Sequence, residues 1–196
     1  MSALLAPTAD ALKAQGNALF GEGAYGEAIA RYGAALAQLA EEKEKKKKKE
    51  KKEEKKEEEE RERETETERA TERATETETE TEAETEAETE LDSEEREQQS
   101  EEELRRTLLS NRAACYLNLN RPWLAMLDCS AVLSADAAHQ KALYRRALAF
   151  RSMGKHAQAI ADLRALTAQD VDHATLAKVG KMMQPLRKAA AAAAAA

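Results

Sequence analysis

A chain of 196 residues with a net charge of -7 has room for one domain plus a tail or an insertion. Apolar residues make up 42% of it, aromatics 4% and charged residues 35%, and no apolar run approaches the roughly 20 residues a membrane helix needs. The charge is partitioned. Residues 41–64 hold twelve acids and twelve bases, residues 65–103 hold eighteen acids and three bases, and the remainder carries +8. A basic body has anionic partners as its default: nucleic acid, membrane headgroups or acidic protein tails.

Residues 1–8 read as a flexible N-terminus. MSALLAPTAD lacks a basic stretch followed by a long apolar core, so no secretory leader is expected. Segments 9–40 and 104–187 carry helical periodicity. Gly21, Gly23, Gly26 and Gly154 fall in turn-like places, and no run of alternating β-branched residues occurs. The expected class is all-α. Between these segments, residues 41–103 form a low-complexity Lys/Glu and Thr/Glu insertion. Its i,i+4 charge pairs from Glu41–Lys45 to Glu60–Glu64 divide into nine attractive and eleven repulsive, so they give no net helix support. The good propensity of Lys and Glu predicts a few helical turns that fray before residue 65. The Thr-Glu part has no apolar face and repels itself, which predicts disorder.

The helical segments repeat. GNALFGEGAYGEAIARYGAAL (16–36) aligns with AACYLNLNRPWLAMLDCSAVL (113–133) and ALAFRSMGKHAQAIADLRALT (147–167). Small residues recur at Gly16, Ala113 and Ala147, and again at Ala28, Ala125 and Ala159. Bulky ones recur at Leu19, Tyr116 and Phe150, and turns are expected near Gly23, Asn120 and Gly154. Small residues let paired helices approach, and bulky ones fill the gap to the next pair. The last two units lie 34 residues apart. This pattern resembles the tetratricopeptide repeat (TPR). The resemblance implies a three-repeat helical solenoid with units at 9–40, 104–139 and 140–172, interrupted by the charged insertion at 41–103. A cap helix follows at 173–188, with Leu176, Val179, Met182, Met183 and Leu186 as its apolar stripe, then a poly-Ala tail at 189–196. Within the family, NRAACYL and KALYRR are most similar to the TPR domain of UCS-class myosin chaperones.

Lys13 and Asn17 sit one turn apart in the first unit, Asn111 lies in the second, and Lys141 and Arg145 sit one turn apart in the third. The set resembles the carboxylate clamp of TPR co-chaperones. It implies that these five residues converge on one groove, and that the groove grips the C-terminal tail of heat-shock protein 90 or heat-shock protein 70, which ends Glu-Glu-Val-Asp. Phe20, Ala114, Leu117 and Arg151 are candidates for the peptide pocket, with plain core packing an equal reading for Phe20 and Leu117. Asn118 stands where several relatives carry Lys. Arg112 and Arg146, each one residue past a clamp position, are expected to point away and pair with an acid.

No catalytic residues, metal site or cofactor are expected. His139, His156 and His173 are isolated, and no phosphate loop or nucleophile elbow occurs. Cys115 and Cys129 lie in apolar surroundings and read as buried reduced thiols, which suits the cytoplasm. Trp123 after Pro122 reads as a packed residue at a helix start. The leading expectation is therefore a non-enzymatic adaptor for chaperone tails. The alternatives are a generic TPR scaffold or, less favoured for want of aromatics, a basic-groove nucleic-acid binder; no membrane partner is expected. The acidic insertion is either a passive spacer or a weak occupant of the basic groove.

Overall fold

The computed structural model describes residues 7–68 and 83–194. Among them lie seven α-helices: α1 (Ala9–Gly21), α2 (Tyr25–Glu68), α3 (Ala83–Asn118), α4 (Pro122–Ala135), α5 (Gln140–Ser152), α6 (His156–Thr167) and α7 (His173–Ala194). No described helix is long and apolar enough to cross a membrane. The chain divides into two compact units, one of residues 1–36 and 103–196, the other of residues 37–102.

In the first unit the same turn occurs three times. Gly23, Asn120 and Gly154 take positive φ values of 80°, 54° and 73°. Their N–H groups donate to Phe20, Leu117 and Arg151, and the next residues' N–H groups donate to Leu19, Tyr116 and Phe150. This double hook is a Schellman motif, which ties up the last carbonyls of a helix and needs a left-handed residue to do so. The starts are capped separately. The Thr8 hydroxyl accepts from Ala11 N–H at 3.3 Å, and Pro122 opens α4 without needing a donor.

The repeated small positions are the tightest points of the core. Ala28, Ala113, Ala125, Ala147 and Ala159 are fully buried, and Gly16 is buried under the Tyr32 ring. A Cβ at Gly16 would stand 2.5 Å from Tyr32 Cε1, closer than carbon atoms pack. A continuous apolar cluster runs from Leu109 through Val132, Leu143 and Leu163 to Leu186. The closing helix adds Val179, Met182, Met183 and Leu186, but Leu176 stays 42% exposed instead of joining its stripe. Leu176 falls in the first turn of α7, before the buried stretch begins. Trp123 also differs from expectation. It is 55% exposed, and the Lys155 ammonium lies over its ring at 5.7 Å. The alanine run lengthens α7 to Ala194.

The second unit contains helix where sequence propensity alone predicts fraying and disorder. α2 runs on to Glu68, past residue 65, and α3 takes in residues 83–103; residues 69–82 lie outside the described residues. Lys43 meets Glu102 at 3.1 Å, and Lys46 meets Glu97 at 3.1 Å and Glu101 at 2.8 Å. These pairs join residues more than fifty positions apart in antiparallel order, so a basic arm lies beside an acidic one. Hydrogen bonds to Glu101 and Glu97 raise the Lys46 pKa. A count of i,i+4 pairs within one segment cannot register attraction between two segments, and each such exposed pair contributes at most about 1 kcal/mol.

Candidate functional site

Five cation and amide positions distribute over three helices of the first unit. Asn17 on α1 and Asn111 on α3 are brought into direct contact: Asn111 Nδ2 donates to Asn17 Oδ1 at 3.2 Å. The Tyr32 hydroxyl donates to the same Oδ1 at 2.8 Å. With its oxygen committed twice, Asn17 turns only its Nδ2 donors to other partners, the polarity an anion needs. Burial pushes the Tyr32 hydroxyl up to about 12, so it stays a donor at any physiological pH. Arg145 on α5 reaches the neighbouring residue of α3, where its Nη1 donates to the Ser110 carbonyl at 2.8 Å and to the Ser110 hydroxyl. Lys13 is half-buried on α1 and pairs with Asp10 at 2.8 Å, and no side-chain hydrogen bond or ion pair joins its ammonium to the other four.

Three arginines show how the site differs from its surroundings. Arg112 forms two hydrogen bonds to Asp128 at 2.8 and 2.7 Å, and Arg146 forms two to Asp162 at the same distances. Both guanidinium groups also lie over an aromatic ring of their own helix, Tyr116 and Phe150. Their aspartates raise their pKa values. Arg145 is adjacent to Arg146 in sequence, yet burial lowers its pKa, and its electrostatic neighbours are Cys129, Cys115 and Tyr32. Among the described residues it has no carboxylate partner within ion-pair distance, and neither does Lys141. Partly buried without a counter-ion, Arg145 carries an uncompensated desolvation cost, which an incoming anion relieves; Lys141 is exposed.

Both of these cations line one open cavity of about 630 Å³. Ala114, Leu117, Tyr144 and Leu148 give it an apolar floor, and Lys141, Arg145, Arg151 and Lys178 give it four positive charges; among the described residues no acid lines it. Ala114, Leu117 and Arg151, the residues named from sequence as pocket candidates together with Phe20, are among its lining. Phe20 stands elsewhere: its ring packs edge-on against Tyr25 at 5.3 Å in the first turn, outside the lining. Asn118 lines the cavity but donates its amide back to Ala114 O at 2.9 Å. The sequence reading missed Tyr144, Thr175 and Lys178. The signal for the last two was present in the helical spacing of Thr175 and Lys178, three residues apart beside the apolar stripe of α7. Cys115 and Cys129 are fully buried, unpaired thiols, pushed up by burial to about 11 and about 12, and so inert as nucleophiles.

No family model matches the chain. A mouse protein described as "FK506-binding protein-like" is 40% identical over 85 residues, which is 43% of this chain and 24% of that protein. The chain spans about a quarter of the length of the curated relatives it matches first. Two solved structures carry the fold comparison. The first TPR of Spaghetti (RPAP3) bound to the HSP90 peptide SRMEEVD superposes with a TM-score of 0.56 at 17% identity, covering 94% of both chains. The myosin chaperone UNC-45 from C. elegans in complex with an Hsp90 peptide superposes with a TM-score of 0.55 at 23% identity, covering 94% of this chain and 14% of that one. The fold is an all-α tetratricopeptide solenoid, and it resembles the TPR domains of RPAP3 and UNC-45.

Proposed function

We propose that the first unit is an adaptor that binds the acidic C-terminal tail of heat-shock protein 90 or heat-shock protein 70, without catalysis of its own. The observation that carries this reading is the pair Lys141 and Arg145: two cations on one wall of an apolar-floored groove, with no acid beside them, while the adjacent Arg146 has its own aspartate. In this reading Arg145 and Lys141 take the two carboxylates of a terminal aspartate. Asn111 and the Nδ2 of Asn17 hold the chain end, and Lys13 adds charge from α1. Ala114 and Leu117 receive the apolar residue before the terminus. Charge-assisted hydrogen bonds contribute about 1.5–3 kcal/mol each. Three or four of them, less the cost of ordering a flexible tail, amount to a dissociation constant near micromolar, about -8 kcal/mol. In this reading the protein works in the cytoplasm, a compartment where free thiols such as Cys115 and Cys129 stay reduced.

Titration of SRMEEVD into the wild type and into Lys141→Ala/Arg145→Ala tests the reading. The double variant is expected to bind at least tenfold more weakly, about 1.4 kcal/mol. Equal affinity with a folded variant, checked by circular dichroism, would remove the proposal.

A further inference from the structure

The closing helix does more than cover the end of the repeats. Its Thr175 and Lys178 line the same cavity as Lys141 and Arg145. We propose that Lys178 is a specificity-determining residue: it binds an acidic side chain of the peptide upstream of the terminal residue. This rests on the reading of the groove as a peptide site and extends it.

The length of the cavity requires a ligand larger than one terminal residue. Lys141 and Arg151 both line it and lie ten residues apart on α5, about 15 Å along the helix axis. An extended peptide advances about 3.3–3.6 Å per residue. About four residues therefore pass the cations, and a terminal aspartate satisfies those at one end. Lys178 lies on a different helix from Lys141 and Arg145 and faces the same space. Among the described residues no carboxylate lies within ion-pair distance of it. The acid in its electrostatic field is Asp172, whose Oδ1 already accepts from the Thr175 N–H at 2.7 Å as the cap of α7. Lys178 is thus a flexible point charge aimed at a cavity with no internal acid to neutralise it. Its natural occupant is a carboxylate carried on a side chain, since the chain end is already held by α3 and α5.

A double-mutant cycle on the full chain tests this. The peptides are SRMEEVD, its glutamine form SRMQQVD, and SRMEEVD amidated at the C-terminus; the variants are Lys178→Gln and, as a charge-matched control on the same helix outside the cavity, Lys188→Gln. Lys178→Gln is expected to weaken SRMEEVD about five- to tenfold, as for one charge-assisted contact, and to leave SRMQQVD unchanged. Lys188→Gln leaves both unchanged. Amidation is expected to weaken the wild type and Lys178→Gln by the same factor, because the terminal and upstream contacts are separate. If SRMEEVD binds through its free terminus but Lys178→Gln has no effect, or weakens both free-acid peptides equally, the inference fails and the groove reading stands. If none of the peptides binds, both fall.

Discussion

At the scale of single residues, the Tyr32–Asn17–Asn111 chain depends on one glycine. Gly16 admits the Tyr32 ring, and the Tyr32 hydroxyl fixes which end of the Asn17 amide faces outward. Gly16→Ala places a methyl group where the ring now lies. Overpacking of that kind costs about 1–3 kcal/mol, so the urea midpoint is expected to fall, and peptide affinity with it as Asn17 loses its anchor. A variant with unchanged midpoint would show that Tyr32 is not held there. The small residue at position 16 was apparent from the repeat alignment. The Tyr32–Asn17–Asn111 chain was not, because its members lie 15 and 94 positions apart and no periodicity links them. The pairing of Arg112 and Arg146 with acids was expected from sequence; that their partners are Asp128 and Asp162, both sixteen residues on, required the structure.

At the scale of elements, α5 carries Lys141 and Arg145, and its start depends on a titratable cap. His139 Nδ1 accepts from the Ala142 N–H at 3.1 Å, a bond that exists only while Nδ1 is unprotonated. Burial pulls His139 below its ordinary value of 6.5; Asp136 opposes that shift, and Arg145 and Arg106 reinforce it. A histidine with a depressed native pKa binds its proton more readily when unfolded. Its contribution is therefore complete above pH 6.5 and is lost as pH falls through the depressed native value. Asparagine caps without titrating, so the melting temperature of His139→Asn is expected to fall less than the wild type's between pH 7 and pH 5. Parallel profiles would contradict the cap. The three helical hairpins were readable because Gly23 and Gly154 mark left-handed turns openly and Asn120 occupies the same register. The helical arms of the second unit were not, because their support comes from lysines of one segment meeting glutamates of another.

At the scale of the molecule, that pairing bears on whether the acidic stretch competes for the basic groove. Glu97, Glu101 and Glu102 are already engaged by Lys43 and Lys46 within their own unit. Excising residues 41–102 is therefore expected to leave SRMEEVD affinity unchanged at both low and high salt; tighter binding at low salt alone would mean that the stretch does compete. Of the five residues that the sequence set in register with a family pattern, Lys141 and Arg145 line the groove. Its α7 wall was not, since α7 reads first as an apolar cap. The central claim is that the first unit grips a free peptide terminus, and amidation tests it most directly. Calorimetric titration of SRMEEVD and of its C-terminal amide into the wild-type chain should show the amide binding at least tenfold more weakly, about 1.4 kcal/mol. Equal affinities would contradict it.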